Sequence, residues 1–293
     1  MTTILTEIGW EDGNGNLLGR WTNQPNVVDR GDGITVDLNI TAKSLSGNDS
    51  IAGTNADGIG IDNDGTINTG TGNDTLSGNT ISTSPAIFNN GGTINTGTGN
   101  DSLSGDGYIG ILNRGTINTG TGDDSIFGRG VAGINNVSTI NTGTSNDSIF
   151  GQGRSGIVNN GTINTGAGND SISGQGTLSG ITNGGIINTG GGNDTVDALT
   201  GGFSSGGTID LGVGRDLIRG FGAQVVEQIV DGGRGFDTAE LGIDFDENQI
   251  TFGSTAPTSI DITFDSATMS FTDVESFDFN GQVFALEQLQ DIV

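Results

Sequence analysis

The stretch GTINTGAGNDSISG, Gly161 to Gly174, recurs along most of the chain. Close copies begin at Gly65, Gly92 and Gly115, looser ones at Ser138, Gly185 and Gly207, and a degenerate one ends at Asp237. A fixed internal period constrains architecture more than any local propensity, because each unit must stack on its neighbours to bury its apolar face. The aligned acidic residues are Asp74, Asp101, Asp124, Asp147, Asp170, Asp194, Asp216 and Asp237, spaced 27, 23, 23, 23, 24, 22 and 21 residues apart. An irregular earlier copy, SLSGNDSIAG, puts Asp49 in the same position.

Three apolar stripes accompany that period. Seven residues before each aligned Asp lies Ile67, Ile94, Ile117, Ile140, Ile163, Ile187, Ile209 or Val230. Two residues after it lies Leu76, Leu103, Ile126, Ile149, Ile172, Val196, Ile218 or Ala239. Six residues before the first stripe lies Ile61, Phe88, Ile111, Ile134, Ile157, Ile181 or Phe203. The segments are short, β-branched and bounded by Gly and Asn, which is strand chemistry separated by turns. They predict an all-β, right-handed parallel β-solenoid with three short strands per coil. Two Asn columns follow from the alignment: Asn68, Asn95, Asn118, Asn141, Asn164 and Asn188, and Asn63, Asn90, Asn113, Asn136, Asn159 and Asn183. Stacked amides can bond from coil to coil, so a structural role is expected of both. The spacing of 27 marks an insertion, read as a loop over Asn79 to Asn90.

The ends depart from the repeat. Residues 1–32 hold both tryptophans, Trp10 and Trp21, and are expected to cap the open end of the solenoid, which occupies 33–242. Residues 243–293 alternate apolar and polar residues, are rich in Phe and finish in ALEQLQDIV, predicting antiparallel strands and a short helix in a C-terminal cap.

Only 31% of residues are hydrophobic and 56 are Gly, which suits a repeat structure with a thin core. Net charge is -26, a surface that repels nucleic acid and anionic lipid and that a cation would relieve. The absence of Cys and His excludes thiolate nucleophiles, disulfides, Ser-His-Asp triads and imidazole-bound metals, leaving oxygen ligands. No apolar run reaches the ~18 residues of a membrane span. MTTILTEIGWEDGNGN also lacks the basic and apolar regions of a cleavable signal peptide.

The turn TGAGND, Thr165 to Asp170, carries the chemistry. Its glycines let the backbone turn with positive φ and aim carbonyl oxygens inward, and Asp170 adds a carboxylate. The equivalent pairs are Gly70 and Gly72, Gly97 and Gly99, Gly120 and Gly122, Gly166 and Gly168, Gly190 and Gly192, Gly212 and Gly214, and Gly233 and Gly235. One coil apart, two carboxylates repel by ~1 kcal/mol in water and ~3.5 kcal/mol at an effective dielectric of 20. A calcium ion between neighbouring turns reverses that sign and takes 6–8 oxygens, whereas magnesium is smaller and sheds water reluctantly. The competing reading is a β-turn whose Asp caps backbone N–H groups.

The motif resembles the haemolysin-type (repeats-in-toxin) calcium-binding nonapeptide, GGxGxDxUx with U a large apolar residue. Gly190 to Val196 and Gly232 to Asp237 are the nearest matches, and the resemblance covers about residues 45–242. It implies calcium held by glycine-turn carbonyls and the Asp of stacked turns, and a chain that folds when calcium is supplied. Coils in that family have about 18 residues with a calcium turn on both edges, so a coil near 23 with one acidic turn implies one ion column. The first motif glycine is usually Thr here (Thr69, Thr96, Thr119), and Ser145 replaces a turn glycine beside Asp147. FTDVESFDFNGQVFALEQLQ is similar to the end of proteins exported by type I secretion machinery through an uncleaved C-terminal signal.

The expected function is a secreted, non-catalytic calcium-binding solenoid with a structural or adhesive role at the cell surface or extracellular matrix, in contact with surface or polysaccharide. A second reading is an ice- or surface-binding protein. It would use the column Thr66, Thr93, Thr116, Thr139 and Thr162 with the Asn two residues on, and it requires the Ile between them to point inward. A third, a polysaccharide-modifying enzyme, is disfavoured because Lys43, Arg114, Arg129 and Arg154 are few and scattered.

Overall fold

Residues 3–6, 9–11, 17–19, 27–38, 40–224, 227–246, 250–253 and 258–291 are described by a computed structural model. One coil shows the pattern. Thr116–Thr121 forms a first strand, the acidic turn follows, Ser125–Arg129 forms a second, and a short arc leads to a third, Ala132–Asn136. Each strand pairs in parallel and in register with its equivalents one coil away. Ile117 meets Ile94 and Ile140, Ile126 meets Leu103 and Ile149, and Ile134 meets Ile111 and Ile157. First strands build a 12-stranded sheet, while second and third strands share a 22-stranded one. The chain is a parallel β-solenoid.

Alternation decides the faces. Ile117, Ile126 and Ile134 are fully buried, as are their equivalents from Ile61 to Ile187. Second and third strands converge so closely that a Cβ built on Gly128 would run into the Gly133 carbonyl, which is why a glycine recurs there. Three aliphatic side chains per coil make a thin core, and polar ladders extend it. Asn63, Asn89, Asn113, Asn136, Asn159 and Asn183 are wholly buried. Asn113 Nδ2 donates to Asn136 Oδ1 at 2.8 Å, and Asn136 Nδ2 to Asn159 Oδ1 at 2.9 Å and to the Thr162 carbonyl at 3.0 Å.

The long coil corrects two expected positions. Ile87, not Phe88, occupies the inner stripe, and Asn89, not Asn90, joins the buried ladder. The extra residues are divided: Pro85–Asn89 is a regular third strand, so the loop is confined to Thr80 to Ser84, and one more residue enters at the Gly91 turn. Within that loop Thr80 and Ser82 side chains accept the backbone N–H groups of Ser82 and Ser84, closing two successive turns.

At the N-terminal end, Val27–Arg30 stacks in parallel on Ser50 to Gly53, and Thr3–Thr6 stacks on Ile34–Val36, so parallel pairing reaches into residues 1–32. Trp21 lies outside the described residues. At the other end, antiparallel hairpins close the sheets. Ser259–Phe264 pairs with Ala267–Thr272 and Ser276–Phe279 with Gln282–Ala285, followed by the helix Leu286–Gln290. Phe271 and Phe277 meet edge to face at 5.3 Å above the last coil, as the local Phe enrichment suggests. No helix among the described residues is long and apolar enough to cross a membrane.

The ladder makes a testable difference between neighbouring asparagines. Replacing buried Asn136 with Ala strands the Asn113 and Asn159 amides, so unfolding free energy should fall by roughly 2 kcal/mol or more, from the cost of leaving buried polar groups unpaired. Exposed Asn160→Ala should change it by less than about 0.5 kcal/mol. Equal effects in denaturant melts would show that the ladder contributes no stability.

Candidate metal column along the acidic turn

The turn glycines are dictated by backbone geometry. Gly120 and Gly122 have φ of 107° and 117°, in the left-handed region, and equivalent pairs repeat this along the stack. A Cβ on Gly120 would also collide with the Gly97 carbonyl below it. Gly214 alone among the paired turn glycines lies outside that φ range. Ser145 adopts φ 88° and so copies the glycine turn at the cost of strain. The carboxylate beside it is held like the others: Asp147 is 2% exposed and keeps both neighbour contacts at 2.8 Å.

All nine aspartates expected of the column stand in one line, each 0–2% exposed. Their spacing follows from the register of the second strands. In each from Asp74 onward, Oδ1 accepts the backbone N–H of the aspartate one coil earlier. Asp49 donates to Asp74, Asp74 to Asp101, Asp147 to Asp170 and Asp216 to Asp237, at 2.7 to 2.8 Å. From Asn73 to Arg215, the residue before the Asp is stitched the opposite way. The N–H of Asn73 donates to Asn48 Oδ1 at 2.9 Å, that of Asn169 to Asn146 Oδ1 at 2.7 Å, and that of Arg215 to Asn193 Oδ1 at 2.9 Å. The Asn-Asp pair thus binds each turn to both neighbours, and the capping reading of the aspartate holds for one of its two oxygens.

The second oxygen is different. Oδ2 of Asp74, Asp101, Asp124, Asp147, Asp170, Asp194, Asp216 and Asp237 is buried without a hydrogen-bond partner. Burial therefore pushes these carboxyls up from their ordinary range, against the lowering effect of the N–H each accepts. Asp101, Asp147 and Asp194 rise to about 6 and Asp216 to about 7, and neighbouring aspartates add to the rise.

Two features of the column were not legible as site residues. The Thr in place of the first motif glycine is fully buried from Thr69 to Thr189. Its hydroxyl donates to the carbonyl one coil on, Thr96 to Thr119 at 3.0 Å and Thr119 to Thr142 at 3.1 Å, and it also lies within hydrogen-bonding reach of the aspartate five residues later. One hydroxyl proton cannot serve both acceptors, so the threonine does not discharge the orphaned oxygen. The signal was its recurrence five residues before each Asp. The other feature is Glu275, whose Oε2 accepts the Asp237 N–H at 2.7 Å and ends the column as a tenth carboxylate. Sequence counting misses it because 38 residues, not about 23, separate the two.

Among the described residues no three acidic side chains converge on one point. A cation here would draw on carboxylates of two adjacent coils and complete its shell from turn carbonyls, a donor set made wholly of hard oxygens and suited to calcium. Arg215 sits in the turn just before Asp216 and partly offsets the burial-driven rise at Asp237, whereas Arg114 and Arg129 lie away from the column. Arg114 lies over the Phe88 ring at 5.2 Å, and Arg129 pairs with Asp106 at 3.6 Å on an exposed strand.

The raised carboxyls set the pH dependence of the metal-free chain. An unfolded Asp releases its proton near ~3.9, whereas Asp101, Asp147 and Asp194 in the folded column hold theirs to about 6 and Asp216 to about 7. Between those limits the folded state binds more protons, so stability falls as pH rises. In chelator, the β-sheet circular dichroism that remains should be greater at pH 5 than at pH 8, and an equal or reversed order would contradict the burial of the column. Separately, Ser145→Gly should relieve left-handed strain and raise stability by about 1 kcal/mol, after the added freedom of glycine in the unfolded chain is discounted. A lower melting temperature for that variant would show that the serine is accommodated without strain.

No protein-family model matches this chain, and no curated protein does.

Proposed function

We propose that the acidic column binds calcium and that the protein is a secreted, non-catalytic solenoid serving a structural or adhesive role at the cell surface or in extracellular matrix. The observation that carries the calcium reading is the run of eight buried, unpartnered Oδ2 atoms, one per coil, from Asp74 to Asp237. A buried anion without a partner is costly, and above neutral pH protonation does not relieve Asp101, Asp147 or Asp194, whose carboxyls lie at about 6. A divalent cation between coils supplies the missing charge. The aspartates and the paired turn glycines, Gly70 and Gly72 through Gly233 and Gly235, would hold it. Its contribution is electrostatic, offsetting part of the net charge of -26. Dispersal of the basic side chains supports the non-catalytic part of the reading. The resemblance of the last residues to type I export signals supports secretion.

Metal content of the purified protein tests the proposal directly. Ten stacked carboxylates leave nine gaps, so about seven to nine calcium ions per chain are expected, with some lost at the ends. Excess chelator should remove most of the β-sheet circular dichroism, and calcium should restore it cooperatively, because metal that binds only the folded chain stabilises it by mass action. Asp170→Ala should raise the calcium midpoint more than Asp237→Ala, since it touches two central gaps. An unchanged β-spectrum and melting temperature in excess chelator would sink the calcium reading.

A further inference from the structure

The outer face of the 12-stranded sheet is unlike the rest of the molecule. From Thr66 to Asn188 its rows are Thr66 and Asn68, Thr93 and Asn95, Thr116 and Asn118, Thr139 and Asn141, Thr162 and Asn164, and Ile186 and Asn188, all in parallel register. The Ile between each pair is fully buried, so both flanking side chains point outward. The last row exchanges Thr for Ile and keeps the branched side chain without the hydroxyl. In a chain of net charge -26, these six strands carry no charged residue and no aromatic one. Lys43 bounds the face on one side, and Asp210 and Asp231 on the other. At the centre the amides are fixed to one another: Asn141 Nδ2 donates to Asn118 Oδ1 and Asn164 Nδ2 to Asn141 Oδ1, both at 2.9 Å. The threonines are β-branched and stiff at χ1. The face is therefore an ordered, uncharged lattice of hydroxyls, methyls and amides.

That chemistry narrows the partner. A charged polymer or membrane finds no counter-charge here, and a sugar ring or base finds no aromatic ring to stack on. A small ligand needs concavity, and the hollow lined by Leu38, Ile40, Asp64, Thr66 and Thr93 touches only the first two rows of the face. What remains is a partner that is itself a flat, neutral hydrogen-bonding lattice. Equivalent side chains recur every ~4.8 Å along the stack and Thr lies ~6.7 Å from Asn along the strand. In tetrahedrally bonded water with oxygens ~2.75 Å apart, second neighbours lie ~4.5 Å apart and the perpendicular layer repeat is ~7.3 Å. Both protein spacings come within ~10% of these.

We propose that this face, Thr66 to Asn188, binds the surface of ice crystals. Its side chains lose little conformational freedom on binding because stacking has already ordered them, which favours a weak but repeated contact. The proposal needs a folded solenoid but not an ion column, so the test is made in calcium with circular dichroism as a control. Freezing and melting points would be measured by nanolitre osmometry while crystal shape is watched. The wild-type chain should hold the freezing point below the melting point and facet the crystals. Thr139→Tyr and Thr116→Tyr, which break the plane, should lose that gap while keeping the β-spectrum. Ser171→Tyr, on the second-strand face, should retain it. Wild-type crystals that grow as in buffer would overturn the proposal, as would a gap that survives both tyrosine variants. Sedimentation showing a wild-type dimer that Thr139→Tyr dissociates would overturn it too, by assigning the face to a second copy of the chain.

Discussion

Everything in this structure depends on in-register stacking of one coil on the next. Parallel register places each side chain beside its own counterpart at the strand spacing of ~4.8 Å, so a residue must be compatible with itself. Isoleucine meets that condition by packing. Asparagine meets it because an amide both donates and accepts, and the buried column uses both capacities from Asn89 to Asn183, with Asn63 at its start donating. Threonine meets it by turning its hydroxyl to the next carbonyl. Aspartate does not, because an ionised carboxylate only accepts. The backbone N–H of the adjoining coil satisfies one of its oxygens and leaves the other buried without a hydrogen-bond partner.

The same rule explains what could be read before folding and what could not. Period, strand count and inward stripes were legible because stacking repeats any local choice, and the aspartate column was visible as a column. Errors arose where coil length changes. Counting a fixed offset from the aspartate selects Phe88 and Asn90, but the long coil takes its extra residues in two places, and the pattern inside shifts to Ile87 and Asn89. Glu275 escaped because the hairpins intervene between it and the preceding rung. The turn threonines looked like a departure from a glycine pattern. Their role as a buried ladder depends on which carbonyl lies beneath them, which sequence does not specify.

Charge is sorted by position in the coil. The carboxylates of the acidic turn are enclosed at an edge, and the first-strand face carries none between Thr66 and Asn188. Where opposite charges do meet on a face they stack too: Arg219 bonds Glu240 at 2.7 Å and Asp197 at 3.1 Å, on the coils above and below. The high net charge is thus compatible with a neutral surface because the repeat repeats the location of charge along with everything else.

The in-register ladders also decide how the molecule answers force. Its inter-coil hydrogen bonds lie along the stacking axis, so a pull between the two ends loads one coil interface at a time, as in opening a zipper, rather than shearing all strands together. Each detached coil of about 23 residues would release ~75 Å of slack chain at the reach of an extended backbone. Tension is therefore absorbed coil by coil, and the molecule yields as a spring does rather than breaking as a brittle rod does.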